Sequence, residues 1–245
     1  MPAASSAESL ADATAVTASA TDQRAPRPAL VRRTRALLVR QFRAELALKV
    51  RLYLALAVGF QLLYFALQRI TIVAPRRFTP TVLDSLVPFQ PGWIWVYQSA
   101  YLLIPLAPFL ALRREELWRY ARGFVLLSTA GFLTFLLYPV AGPRPAGVIA
   151  SGLYGVVTSY DRPLNAFPSL HVALAAYSTM FGARLVRQVP SPSGWALVGA
   201  GWMWTLLVMY ATLATKQHYA IDLPAGLLLA WAAHRVAWRG TAGAT

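Results

Sequence analysis

Two of the chain's three histidines lie in short segments with the residue types of phosphate chemistry. One segment is Pro168-Ser169-Leu170-His171. The other is Lys216-Gln217-His218-Tyr219-Ala220-Ile221-Asp222. His218 and Asp222 stand at i, i+4 and would share a helical face. A carboxylate that accepts from one imidazole nitrogen fixes the tautomer and leaves the other nitrogen as nucleophile or base. Proline suits the first turn of a helix. The free N–H groups and positive dipole end of a helix starting at Pro168 would suit an anion such as phosphate. Ser169 adds a hydroxyl there, and His171 follows within a turn. In Pro143-Arg144-Pro145 the prolines keep the backbone extended. An Arg so held can grip phosphate with two parallel hydrogen bonds. Lys216 would add a second cation, and Arg162 is a weaker candidate. Each segment also has a plain reading: a structural helix-start His, an anchoring His–Asp pair, a solvated loop Arg. The difference turns on whether the three segments meet.

What would make them meet is a membrane topology. The chain has 245 residues, of which 57% are hydrophobic and 13% charged, against roughly 25% charged in soluble domains. Stretches at 52–68, 85–112, 123–143, 188–215 and 222–238 are almost free of charge. A helix needs about 20 apolar residues to cross a bilayer. The reading is an all-α integral membrane bundle of six transmembrane helices, at about 48–68, 93–112, 120–141, 168–186, 194–214 and 220–238. Histidine and aspartate are costly in such segments and mark function there. Residues 1–28, rich in Ala, Ser and Thr, read as a disordered tail. Residues 29–47 repeat Arg among apolar residues and read as an amphipathic juxtamembrane helix. Residues 48–240 would form the six-span domain.

With the N-terminus inside, seventeen Lys and Arg fall on the inner side and six on the outer. The asymmetry predicts cytoplasmic N- and C-termini. The net charge of +14 therefore reflects topology and anionic lipid rather than nucleic acid. Trp93, Trp95, Tyr97, Trp118, Tyr120, Trp195 and Trp238 fall near predicted span ends, as an aromatic belt would. In this arrangement the segments at 143–145, 168–171 and 216–222 all reach the extracytoplasmic face. The Ala- and Arg-rich composition fits a bacterial plasma membrane. Cysteine is absent, so thiol chemistry is excluded.

Arg144-Pro145, Pro168-Ser169-Leu170-His171, and His218 with Asp222 resemble, in order and spacing, the three motifs of the phosphatidic acid phosphatase type 2 superfamily. The likeness runs from about residue 85 to 235. Four motif positions depart: Leu137 replaces a Lys, Leu170 a Gly, and Ala211-Thr212 a Ser-Arg pair. Residues 84–94, with Phe167–Ala173 and Gln217-His218-Tyr219, are similar to the subgroup of inositol phosphorylceramide synthases. The resemblance implies that His218 is the nucleophile, forming a phosphohistidine. Asp222 would orient it, and His171 would protonate the leaving oxygen. Arg144, Ser169 and, in place of a missing cation, Lys216 would hold the phosphate. Neither a metal nor another cofactor is implied. The substrate would be a lipid phosphate or phosphodiester lipid, with a lipid alcohol as acceptor if the group is transferred. The alternatives are a strict lipid- or polyprenyl-phosphate phosphatase and, from another class, a non-enzymatic lipid-binding or transport protein.

Overall fold

Long apolar segments favour helix because each backbone N–H and C=O is satisfied within its own segment. The computed structural model, which describes residues 36, 39–145, 151–188 and 190–239, follows that rule. Its helices are α1 (Leu46–Leu67), the short α2 (Val82–Leu86), α3 (Ile94–Phe109), α4 (Arg114–Leu137), α5 (Gly152–Tyr160), α6 (Leu170–Gln188), α7 (Pro192–Ala214) and α8 (Asp222–Ala237). Among the described residues there is no strand. Isolated bridges join Val140 to Arg76 and to Asn165. Residues 41–245 form one compact unit that holds all these helices. Of the unit formed by residues 1–40, the described Ala36, Val39 and Arg40 are helical. The tail expected at 1–28 lies outside the described residues, as does most of 29–38. Residues 39–43 of the expected juxtamembrane helix are helical.

Helix α6 is the centre of the bundle. It packs against α3, α4, α7 and α8, and Val172 to Thr179 are all buried. Small side chains at Ala173, Ala175 and Ala176 let neighbouring backbones come close, as in membrane helix pairs. At the head of α8, a Cβ on Gly226 would lie 2.6 Å from the carbonyl oxygen of Ser169. Only glycine permits that crossing. Tyr120 and Ser178 hydroxyls, 2.9 Å apart, join α4 to α6, and those of Thr179 and Thr205, 3.2 Å apart, join α6 to α7.

The expectation of six spans is corrected here. Among the described residues, only α1, α4 and α7 are long and apolar enough to cross a membrane. Helices α3 and α8 have 16 residues each, about 24 Å at 1.5 Å per residue. The hydrocarbon layer is about 30 Å thick. Helix α6 has 19 residues, but it carries His171, Thr179, Arg184 and Arg187 and faces protein rather than lipid. The charge-free runs overstated the spans because they include the turns: the run at 85–112 contains the end of α2, a 3-10 turn at Pro91–Trp93 and all of α3. By contrast, α1 exposes Leu54, Val58, Leu62 and Leu63. The aromatic belt is also corrected in part. Trp95, Trp118 and Trp195 are exposed, whereas Tyr97 and Tyr120 are buried inside the bundle.

Candidate active site

Three loops are laced together where α4 ends and where α6 and α8 begin. Arg76 N–H donates to Pro139 O (2.9 Å), Gly142 N–H to Pro163 O (2.7 Å) and Ala166 N–H to Val140 O (3.1 Å). Gly142 must be glycine, since a Cβ there would lie 2.6 Å from Gln217 O. Helix α7 stops at Ala214, and Lys216 takes a positive φ of 52°. The chain turns back on itself, so the N–H groups of Gln217 and His218 both reach Thr212 O (3.1 and 3.3 Å). This turn aims Gln217 and His218 into a cavity also lined by Arg144, Asp161, His171 and Tyr97.

His218 is 4% exposed. Its Nδ1 lies 2.7 Å from Ala166 O and 3.3 Å from Asp222 Oδ2. A carbonyl oxygen only accepts, so Nδ1 carries the proton and Nε2 of the neutral ring keeps its lone pair. Asp222 Oδ2 also accepts from Tyr219 N–H at 2.8 Å. Asp222, expected to orient His218, shares that task with a backbone carbonyl at shorter distance.

His171 stacks on Tyr97 with ring centroids 3.9 Å apart and meets the edge of Tyr101 at 5.4 Å. Its Nε2 is buried with no hydrogen-bond partner. The rings of His171 and His218 are 6.2 Å apart. Both imidazoles line the one cavity and so can act on the same bound group.

Arg144 enters the same cavity in an unexpected state. Its Nε donates to Gln217 Oε1 (2.8 Å), its Nη1 to Asp161 O (2.6 Å), and its Nη2 to both Asp161 Oδ2 (2.8 Å) and Gln217 Oε1 (2.5 Å). Of the five N–H groups of a guanidinium, four are taken. As folded, Arg144 offers the cavity its charge and one N–H, not the two-point grip expected from sequence. Asp161 is held in turn by Tyr64 OH (2.8 Å) and Gln68 Nε2 (2.6 Å). Arg162 also lines the cavity and donates its backbone N–H to Gln68 Oε1 at 2.9 Å.

Two expected phosphate ligands lie elsewhere. The Lys216 ammonium donates to the carbonyls of Asp84 (2.7 Å) and Val87 (2.6 Å), tying down the end of α2. Ser169 is fully buried beneath α8, and its Oγ accepts from Val172 N–H at 3.4 Å. Sequence reasoning missed Gln217, Tyr97, Ala166 O and the role of Asp161. The only signals were the adjacency of Gln217 to His218 and the scarcity of carboxylates near Asp161. Residues 84–94 serve as a brace: Asp84 Oδ1 accepts from Ala220 N–H (2.7 Å), and Gln90 N–H donates to Ala214 O (2.7 Å).

A family model described as the PAP2 superfamily matches residues 89–236. No curated protein and no solved structure gives a significant match to the chain.

Proposed function

The chain belongs to the PAP2 superfamily, and from that premise we propose that it cleaves or transfers a lipid-linked phosphate through a phosphohistidine at His218. Phosphatase-type chemistry on lipid phosphates goes with the membership, and the apolar helices make the chain a membrane protein. The observation that carries the reading is the Ala166 carbonyl on His218 Nδ1. It leaves Nε2 with a lone pair facing the cavity.

In this mechanism Nε2 attacks phosphorus, forming an N–P bond as the P–O bond to the leaving group breaks. His171 gives its proton to the departing oxygen. Water, or the hydroxyl of an acceptor lipid, then attacks the phosphohistidine, with His171 taking the proton back. The Arg144 charge stabilises the equatorial oxygens. Displacement of Gln217 by the phosphate would give Arg144 a two-point contact. The reaction needs no metal in this scheme, because the carboxylates near the cavity are committed: Asp161 to Arg144, Asp222 to His218.

The placement is part of the proposal. Helices α3, α6 and α8 pack among the three apolar helices, with both termini cytoplasmic and the cavity on the extracytoplasmic side. The Lys and Arg asymmetry supports that orientation. The likeness of residues 84–94 to the inositol phosphorylceramide synthase subgroup favours transfer to a lipid alcohol over strict hydrolysis.

The test is a quench of purified protein with radiolabelled lipid phosphate. An acid-labile, alkali-stable label on the wild type, unaffected by a chelator and absent from His218→Ala, is expected. Product analysis with and without a lipid alcohol separates transfer from hydrolysis. The engagement of four N–H groups of Arg144 favours one second reading, a lipid-binding protein without turnover. Tight lipid-phosphate binding with no labelled intermediate would decide for it.

A further inference from the structure

A second cavity, of about 200 Å³, lies between α1, α3 and α4. Phe60, Tyr101, Ile104 and Leu174 line both it and the histidine cavity. Elsewhere its walls are mainly apolar, with Leu56, Pro105, Leu117 and Phe124 among them and Gln61 as the polar exception. Its far end is Lys49, which is 2% exposed and whose ammonium is turned to the carbonyls of Gln41 (2.5 Å) and Phe109 (3.0 Å). From Phe60 to Lys49 the pocket follows α1 for about 17 Å, at 1.5 Å per residue.

Packed interiors contain few voids larger than a water molecule. An apolar void of about 150 Å³ stays dry and accepts an apolar guest. The wall on α3 is fixed in place: Pro108 has no N–H for the Ile104 carbonyl, and Tyr120 OH takes that carbonyl instead at 2.7 Å. The cavity is therefore a built feature adjoining the reactive groups.

We infer that one hydrocarbon chain of the substrate passes between Phe60 and Tyr101 into this cavity, and that Lys49 at its floor sets the chain length the enzyme prefers. The inference rests on the catalytic reading above and names the part of the substrate that reading leaves open. The occupant is a single unbranched alkyl chain carrying the phosphate at one end. The phosphate stays beside His171 and His218, and the tail fills the apolar end.

The experiment uses the full chain in detergent micelles and a series of monoalkyl phosphates from hexyl to octadecyl. Each added methylene that enters the cavity should raise kcat/KM about fourfold, until the tail meets the floor and the gain stops. Ala57 lines the cavity and takes no part in the chemistry. Ala57→Phe should move the break to shorter chains. If that variant does not fold, Ala121→Leu on the facing wall serves the same purpose. The same series is also tested for displacement of a fluorescent alkyl probe from the His218→Ala protein. A matching break there supports the cavity even if no member is turned over, which would count against the catalytic reading alone. A smooth chain-length profile, or a break that neither variant moves, overturns the inference. A bilayer lipid tail that merely fills the groove would give that result.

Discussion

In the histidine cavity, polar groups hold one another. Arg144 is fixed by Asp161 and Gln217, Asp161 by Tyr64 and Gln68, and His218 by Ala166 O and Asp222. In the apolar cavity below, contacts are hydrocarbon, and the Lys49 ammonium faces carbonyls of the protein rather than the void. One polar atom of its lining, Gln61 Oε1, is buried without a partner. Hydrogen bonds have direction and apolar contacts do not. A site that must place a lone pair against phosphorus needs the first kind of wall. A site that only retains a tail is served by the second. Substitutions in the polar cavity should therefore act on kcat, and those in the apolar cavity on KM and chain-length preference.

The largest effect tests the polar side alone. His218→Ala should lower kcat by at least about four orders of magnitude with lipid binding retained, because the attacking atom is gone. Steady-state turnover paired with binding of the uncleaved lipid measures both. A loss confined to KM would break the division between the cavities. His171→Ala comes next, at about 10²–10⁴-fold in kcat for an alkyl phosphate. An aryl phosphate, whose leaving group needs no proton, should recover most of that loss. Equal losses on both substrates would remove His171 from the role of acid. Asp161→Asn acts on Arg144 through Oδ2, and on the Tyr64 and Gln68 bonds to Oδ1, without removing a reacting group. It weakens a hydrogen bond between charged groups, which contributes about 1.5–3 kcal/mol, so kcat should fall about 10–100-fold while the alkyl chain-length profile keeps its shape. A shifted profile would mean that the two cavities are not separable.

How much of this was legible in the sequence depended on whether a residue's role follows from its type. Histidine at a helix end is rare in an apolar chain, so His171 and His218 stood out, and the structure brings both with Arg144 to one cavity. The carbonyl of Ala166 could not stand out, because every residue has one and only the fold brings it within 2.7 Å of His218. The Arg144–Asp161 pair joins loops 17 residues apart with no periodic signal. The helical class was legible from apolar runs. The span count was not, since hydropathy measures contact with lipid, and α6 spends its surface on other helices. Ser169 looked like a phosphate ligand because a helix start usually faces solvent. Here Gly226 lets α8 close over it.

Lys216 gives the smallest predicted effect on catalysis and the sharpest contrast with Arg144. Both are cations beside the reactive segments. Arg144 lines the histidine cavity, whereas the positive φ at Lys216 turns its side chain away to the carbonyls of Asp84 and Val87. A cation at a helix C-terminus satisfies carbonyls that have no partner within the helix. Lys216→Met should therefore leave kcat and KM within about twofold. The loss of two charge-assisted hydrogen bonds, about 1.5–3 kcal/mol each at most, should instead appear as a lower unfolding temperature. The brace acts through Asp84, which holds Ala220 N–H two residues from His218. Thr81→Ala, which removes the capping hydroxyl from α2, should lower the unfolding temperature in the same direction by a smaller amount. A fall in kcat/KM for Lys216→Met as large as that for Asp161→Asn would instead put the ammonium at the phosphate during turnover, and the loop at residues 215–217 would then have to rearrange when substrate binds.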